Sequence, residues 1–242
     1  MTLRQYPRAR HVGRVAILVM CAATALEAQT IPGDNFGSQN SGPFGASVIA
    51  RYQQVYRADL FGRNPVQIAG LTFFNSVTTL FSEDPRLTRG TYRLFLSTTG
   101  AGINALNAGN LNANLGADHR LFATFTVDGV RSSAPNFTIA GSTFTFNPLA
   151  GNLLLDVMAD FAESRAQGPG AAFLDANVQG IDASSALCTT AGCTSGVQSN
   201  TALITRFETP ATVVPEPSTY ALVAGGLAVL AGVARSRARR RG

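Results

Sequence analysis

The sequence predicts a mostly β protein, an antiparallel β-sandwich of the jelly-roll type, flanked by an apolar segment at each end. Apolar and polar residues alternate with a period of two in several short stretches, and turn-forming residues separate these stretches. The composition agrees, because 45% of the residues are hydrophobic and only 14% are charged, so the chain can bury a sizeable core.

The alternation is clearest at residues 91–97, where Tyr92, Leu94 and Leu96 share one face of a strand. Residues 100–118 are rich in Gly, Asn and Ala, and they fit either a long loop or a short helix. Residues 153–163 fit both periods, and we favour a strand at residues 152–161 because Pro148 and Gly151 precede it. The remaining predicted strands cover residues 48–56, 66–74, 121–128, 136–147 and 201–207.

The first 28 residues have the pattern of a signal peptide. Four arginines within the first 14 residues precede an apolar run at residues 15–25. This run has the length of a signal-peptide core and is too short to span a bilayer. We predict that signal peptidase cleaves after Ala28 and before Gln29, with cleavage after Ala25 as the alternative.

The C-terminal end carries a second apolar segment with a different arrangement. Pro215, Glu216 and Pro217 precede an uncharged run at residues 221–234, and five arginines follow among the last eight residues. As a helix the run would be about 21 Å long, which is short for a bilayer core of about 30 Å. We predict a short membrane helix with its basic end in the cytoplasm, preceded by an extended segment that a processing enzyme can reach.

This tail, residues 214–242, resembles the PEP-CTERM sorting signal. The resemblance implies that an exosortase recognises Pro215-Glu216-Pro217, cuts there, and releases the body of the protein or attaches it at the surface. It also implies a Gram-negative host that makes exopolysaccharide and biofilm matrix, and transient anchoring in the inner membrane. Residues 147–157 are similar to a stretch of secreted proteins of this kind that have no assigned activity.

These assignments divide the chain into a signal peptide at residues 1–28, a β-sandwich domain at 29–212 and a sorting segment at 213–242. All 19 basic residues are arginine. Between residues 29 and 215, ten arginines face 12 acidic residues, so this part carries a net charge of about −2. Because nucleic-acid binding needs basic residues clustered on the folded domain, we exclude it as a function.

Cys188 and Cys193 are the two cysteines that remain if Cys21 leaves with the signal peptide. An even pair in an exported chain predicts a disulfide, which would contribute about 2 kcal/mol by constraining a short loop. The alternative is a pair of metal ligands, but two thiolates with no histidine nearby make a poor zinc site.

Between the two terminal segments, few residues have side chains that commonly take part in catalysis. His119 is the only histidine there, and no Gly-x-Ser-x-Gly pattern accompanies it, so we predict a solvated loop residue and no enzymatic activity. Asp156, Asp160 and Glu163 fit a carboxylate cluster for glycoside hydrolysis or for calcium binding. We predict instead that they are ordinary acids facing solvent.

A second oxygen-rich patch contains Asp175, Asn177 and Asp182. No EF-hand spacing is present in the sequence. We therefore predict no cofactor and no catalytic metal, with a structural calcium ion as the alternative.

Three functions fit this sequence. The favoured one is a non-enzymatic structural or interaction protein of the cell surface or matrix. The second is a glycan-binding module of the exopolysaccharide matrix, which exposed Tyr52, Tyr56 or Tyr92 on one sheet face would favour because the chain has no Trp. The third is a secreted hydrolase, which two carboxylates about 5–10 Å apart in a cleft would favour.

Overall fold

A computed structural model describes residues 29–31, 38–45, 49–75, 87–127, 136–161 and 172–210. They belong to one compact unit, Leu26–Ala211. The strands within these ranges are β1 (Gln29–Ile31), β2 (Ser38–Asn40), β3 (Arg51–Tyr56), β4 (Val66–Phe74), β5 (Gly90–Thr99), β6 (Arg120–Val127), β7 (Asn136–Phe146), β8 (Asn152–Phe161), β9 (Leu174–Asn177), β10 (Ala183–Cys188), β11 (Val197–Ser199), β12 (Ala202–Leu203) and β13 (Thr205–Glu208). Two single 3-10 turns, Ala58–Phe61 and Leu111–Asn114, complete the regular structure of the described part.

The strands form three sheets in which all described pairings are antiparallel. The largest has six strands in the order β11-β10-β3-β8-β5-β6, and a four-stranded sheet has the order β1-β13-β4-β7. A small third sheet has the order β12-β9-β2. Strand β8 therefore lies in the middle of the six-stranded sheet, with β3 on one side and β5 on the other.

The six-stranded and four-stranded sheets share one hydrophobic core. Alternation places Tyr92, Leu94 and Leu96 of β5 on the core side, and Phe144 and Phe146 of β7 face the same core. Because the side chains of one face are removed from water together, burial of this face provides the main favourable term in folding.

Direct contacts join the two sheets across the core. The ring of Tyr56 on β3 packs edge-on against that of Phe207 on β13, with centroids 4.9 Å apart. The Tyr56 hydroxyl lies 2.8 Å from the hydroxyl of Thr205, also on β13. On β3 as well, the Gln54 side-chain amide donates at 2.8 Å to the carbonyl of Leu203, which lies on β12 of the third sheet. The polar groups of Tyr56 and Gln54 that reach into the core are thus hydrogen-bonded.

The opposite face of the six-stranded sheet is covered by a segment that we call the covering loop, residues 100–119. Leu106 and Leu111 of this loop pack on Val55 of β3 and Leu154 of β8 in a second, smaller hydrophobic cluster. Gly116 allows the loop to lie directly against β5, because a Cβ atom at this position would be 1.8 Å from the carbonyl oxygen of Thr98. A bulkier residue would push the loop off the sheet.

The prediction of a mostly antiparallel β protein is confirmed, and each predicted strand lies within two or three residues of an observed one. The jelly-roll order of the strands remains a prediction. Residues 100–118 form a loop that contains one 3-10 turn. No helix among the described residues has the length and apolar character needed to cross a membrane. The predicted signal peptide and the predicted C-terminal apolar helix lie outside the described residues.

Replacing Phe207 by Ala is expected to lower the free energy of unfolding by about 3–5 kcal/mol, because it opens a cavity between two packed sheets. Urea unfolding of the purified full chain measures this change. Val197→Ala is the control, since this side chain is 68% exposed on β11 and its removal should change the free energy by less than about 0.5 kcal/mol. Equal losses of unfolding free energy in the two variants would contradict the conclusion that the two sheets share one core.

Candidate functional site

The candidate site lies on the outer face of the six-stranded sheet, where the covering loop meets the middle strands. Asp156 occupies the centre of β8, directly opposite Gln53 of β3 and Phe95 of β5. Its side chain is completely buried, although aspartate is rarely found fully buried without a partner. The surroundings of Asp156 therefore have to compensate for the loss of water around a charge.

Arg51 provides this compensation. Its Nε donates to Asp156 Oδ1 at 2.9 Å, and its Nη2 donates to Oδ2 at 2.8 Å, so the pair is bidentate. The arginine side chain is itself only 6% exposed. Burial by itself raises the pKa of Asp156, but His119 and the hydrogen bonds and charge of Arg51 outweigh burial and hold this pKa below its ordinary value. The carboxylate is therefore ionised, and it fixes the guanidinium in one orientation.

His119 completes the surroundings of the carboxylate. Its ring stacks on that of Phe95, with centroids 4.8 Å apart and planes inclined by 17°. Its Nε2 lies 3.4 Å from Asp156 Oδ2, and it makes no well-oriented hydrogen bond within the described part of the chain. The prediction that His119 is a solvated loop residue is wrong, because the covering loop packs the imidazole against the sheet and leaves the side chain 20% exposed.

A chain of amide hydrogen bonds attaches the covering loop to the same strands. Arg51 Nη1 donates to Asn112 Oδ1 at 2.7 Å, and Gln53 Nε2 donates to the Leu111 carbonyl at 3.0 Å. Asn114 Nδ2 donates to Gln53 Oε1 at 2.9 Å. These bonds explain why polar Gln53 and Asn114 can be buried on this face.

A second loop borders the site beside the covering loop. We call it the disulfide loop and define it as residues 188–196. A disulfide joins Cys188 and Cys193, which is the pairing that the sequence predicts. The backbone N–H of Leu111 donates to the Thr194 carbonyl, and that of Gly196 donates to the Ala108 carbonyl, both at 2.7 Å. The disulfide loop and the covering loop are thus bonded to each other as well as to the sheet.

A cleft of about 280 Å³ opens where the two loops meet the sheet. Met158 and Ala159 of β8 contribute to its lining, as do Arg51 and Arg93 of the flanking strands. Asn112 lines it from the covering loop, and Gly192, Cys193 and Thr194 line it from the disulfide loop. The cleft therefore combines cationic, amide and hydroxyl groups with a partly apolar sheet surface.

Asp156 and Asp160, two of the acids that the sequence suggested for a hydrolase, do not share the solvent-exposed position that the sequence predicts for them. The prediction that Asp156 faces solvent is wrong, since Arg51 pairs with it in a buried position, whereas Asp160 is exposed. The two are four residues apart on one strand, or about 13 Å between Cα atoms. Only Asp156 is buried and paired with an arginine, so the two acids lie in different environments. Glu163 lies outside the described residues.

The members of the second oxygen-rich patch have different surroundings. Asp182 pairs with Arg57 at 3.3 Å, and Asn177 Oδ1 accepts the backbone N–H of Gln179. Asp175 is fully buried on β9. Across the described ranges, no group of three or more His, Cys, Asp or Glu side chains is placed to hold a metal ion.

The three tyrosines that could have served as sugar-stacking platforms are core residues. Tyr52, Tyr56 and Tyr92 are fully buried, and this burial raises the pKa of each phenol above its ordinary value. The Tyr92 hydroxyl donates to the Thr88 carbonyl at 2.8 Å. A glycan that bound to the described surface would therefore have to be recognised without these rings.

Sequence reasoning did not identify Arg51, Arg93 and Asn112 as site residues. Arg51 and Asp156 are 105 residues apart, and only the register of β3 against β8 brings them together. One signal was present in the sequence, because Arg51 is a charged residue at the start of an otherwise apolar and amide-rich strand.

The C-terminal end of the chain matches a known protein-sorting signal. Residues 213–241 match the PEP-CTERM protein-sorting motif, a range that includes Pro215, Glu216 and Pro217. The predicted resemblance is confirmed, and the motif marks the chain as an exported protein that an exosortase recognises and directs to the cell surface. No curated protein and no solved structure matches the chain. The motif itself lies outside the described residues.

Replacing Asp156 by Asn is expected to cost about 3–5 kcal/mol of stability at neutral pH, because Arg51 would keep a buried charge without a counter-ion. The folded pKa of Asp156 is lowered, so its stabilising effect is present above the unfolded pKa of about 4 and is lost as pH falls through the folded pKa. The difference between the wild type and the variant should therefore shrink in acid.

Urea unfolding between pH 7 and pH 2 measures this difference. Asp160→Asn is the matched control, since Asp160 is an exposed acid on the same strand and its replacement should change stability by less than about 0.5 kcal/mol. An Asp156→Asn protein as stable as the wild type at pH 7 would refute the role of the pair.

Reducing the disulfide is expected to lower the free energy of unfolding by about 2 kcal/mol, since the two cysteines close a short loop with a sequence separation of 5. Unfolding curves with and without dithiothreitol measure the change. A Cys188→Ala/Cys193→Ala protein should show no further response to the reductant. A response of similar size in that variant would mean that the reductant acts elsewhere.

Proposed function

We propose that this protein is a non-enzymatic component of the bacterial cell surface or extracellular matrix, and that its antiparallel β-sandwich is the exported cargo of the sorting tail. The observation that carries the proposal is the PEP-CTERM motif at residues 213–241, which follows directly on a β domain whose last strand ends at Glu208. The tail directs the chain to the cell surface, and the β domain is the compact, stable part that is delivered there.

The construction of the domain supports a structural or binding role. The interior between its two main sheets is filled with large side chains, and the polar side chains on the outer face of the six-stranded sheet are used to hold loops in place. His119, which could have served as a general base, contacts Asp156 and Phe95, and no hydroxyl or thiol of a described residue is hydrogen-bonded to it. A disulfide fits a body that works in an oxidising compartment outside the cytoplasm.

The route that we propose uses both ends of the chain. Signal peptidase removes residues 1–28 by cleavage between Ala28 and Gln29, and the C-terminal apolar segment holds the chain in the inner membrane of a Gram-negative cell. Exosortase then cuts at Pro215-Glu216-Pro217 and separates the body from its anchor. In this route Gln29, the first residue of β1, becomes the new N-terminus and pairs directly with Phe207.

The intact mass of the protein recovered from the cell surface and the medium tests this route. The wild-type mass should correspond to a chain that begins near Gln29 and ends near Pro215. Pro215→Ala/Pro217→Ala should instead retain the arginine-rich end, because exosortase recognises the Pro-Glu-Pro motif. The control, Ser218→Ala, changes the residue that follows the motif and should be processed normally. Normal processing of the double variant would overturn the proposal.

A further inference from the structure

We propose that the cleft between the covering loop and the disulfide loop binds a sugar that carries a carboxylate, a uronic acid of monosaccharide size. This inference deepens the proposed surface function by naming a ligand class, and it rests on that function only for its biological setting. Its physical basis is the set of charges and hydrogen-bonding groups that line the cleft.

The charge of the cleft favours an anion. Asp156 neutralises Arg51, but Arg93 is exposed and forms no hydrogen bond or ion pair with any described residue. Arg51 and Arg93 both lie opposite Met158, one on each neighbouring strand, so their Cα atoms are separated by about 10 Å across the floor of the cleft. The exposed acid Asp160 lies two residues further along β8 and is not part of the lining. A carboxylate above Met158 would thus meet one permanent positive charge that no described residue pairs.

The guanidinium of Arg51 is already held in one orientation before a ligand binds. A guanidinium has five N–H donors, and Arg51 uses one at Nε, one at Nη2 and one at Nη1 on Asp156 and Asn112. Two N–H groups therefore have no hydrogen-bond partner among the described residues, on a side chain that borders the cleft and is 6% exposed. Because Asp156 and Asn112 already hold the side chain, a ligand would not have to order it, which reduces the entropic cost of binding.

The remaining lining suits the rest of a sugar. Asn112 contributes an amide and Thr194 a hydroxyl, both able to bond to sugar hydroxyls, while Met158 contributes apolar surface for a ring face. Gly192 has a φ of +72°, and a Cβ atom there would meet nothing within 4 Å. The wall of the cleft therefore has free space beside Gly192. A volume of about 280 Å³ lies at the lower end of ligand pockets, which favours one sugar residue over a longer segment.

Binding to the full chain in non-ionic detergent tests the inference, with sodium D-glucuronate as the probe and ligand-observed NMR as the readout. D-Glucuronate should bind at least tenfold more tightly than D-glucose, because only the acid forms charge-assisted hydrogen bonds with arginine. Added salt should weaken its binding. N-Acetyl-L-glutamate carries carboxylates without a sugar ring and should bind more weakly than glucuronate.

Arg93→Gln should weaken glucuronate binding about tenfold, whereas Arg63→Gln removes an exposed arginine outside the cleft and should leave binding unchanged. Both variants should unfold at the wild-type urea concentration, which separates loss of binding from loss of the fold. Glucuronate binding no tighter than that of glucose, unchanged binding in Arg93→Gln, or tighter binding of N-acetyl-L-glutamate would overturn the inference. None of these results bears on the processed mass, so failure here is distinct from failure of the sorting route.

Discussion

The buried pair of Arg51 and Asp156 is the interaction on which the outer half of the structure depends. A carboxylate at the centre of a middle strand can remain ionised only if a cation and hydrogen-bond donors replace the water that it has lost. Arg51 provides both, and its remaining N–H groups are directed by that bond. Since the same guanidinium holds Asn112, the ion pair also determines where the covering loop can lie.

The domain therefore combines two kinds of stabilisation on the two faces of one sheet. On the inner face, aromatic and aliphatic side chains fill the space between the sheets and need few hydrogen bonds. On the outer face, a small apolar cluster is surrounded by charged and amide groups whose bonds are directional. The first arrangement tolerates changes that conserve volume, whereas the second fixes one geometry, because each buried polar group has few alternative partners.

The amino-acid sequence alone predicted those features of the protein that depend on a pattern among neighbouring residues. The alternation around Tyr92, Leu94 and Leu96 identified β5, because side chains two residues apart must share a face. By contrast, β10 escaped prediction, since Ala183–Cys188 contains no β-branched or aromatic residue although the strand lies between β3 and β11. The environment of Asp156 was equally hidden, because it results from strand register and from a loop that returns over the sheet, and neither leaves a short-range pattern. The disulfide could be predicted because it joins cysteines that are near neighbours in the chain.

The position of β13 has a mechanical consequence. This strand is the last of the domain before the sorting tail, yet it is an interior strand, bonded to β1 on one side and to β4 on the other. In the uncleaved chain, a pull on the sorting tail would act on β13. Detaching an interior strand requires two rows of hydrogen bonds to break, whereas an edge strand can be peeled away one bond at a time. The end of the domain that leads into the tail is thus held in the interior of a sheet and not at its edge.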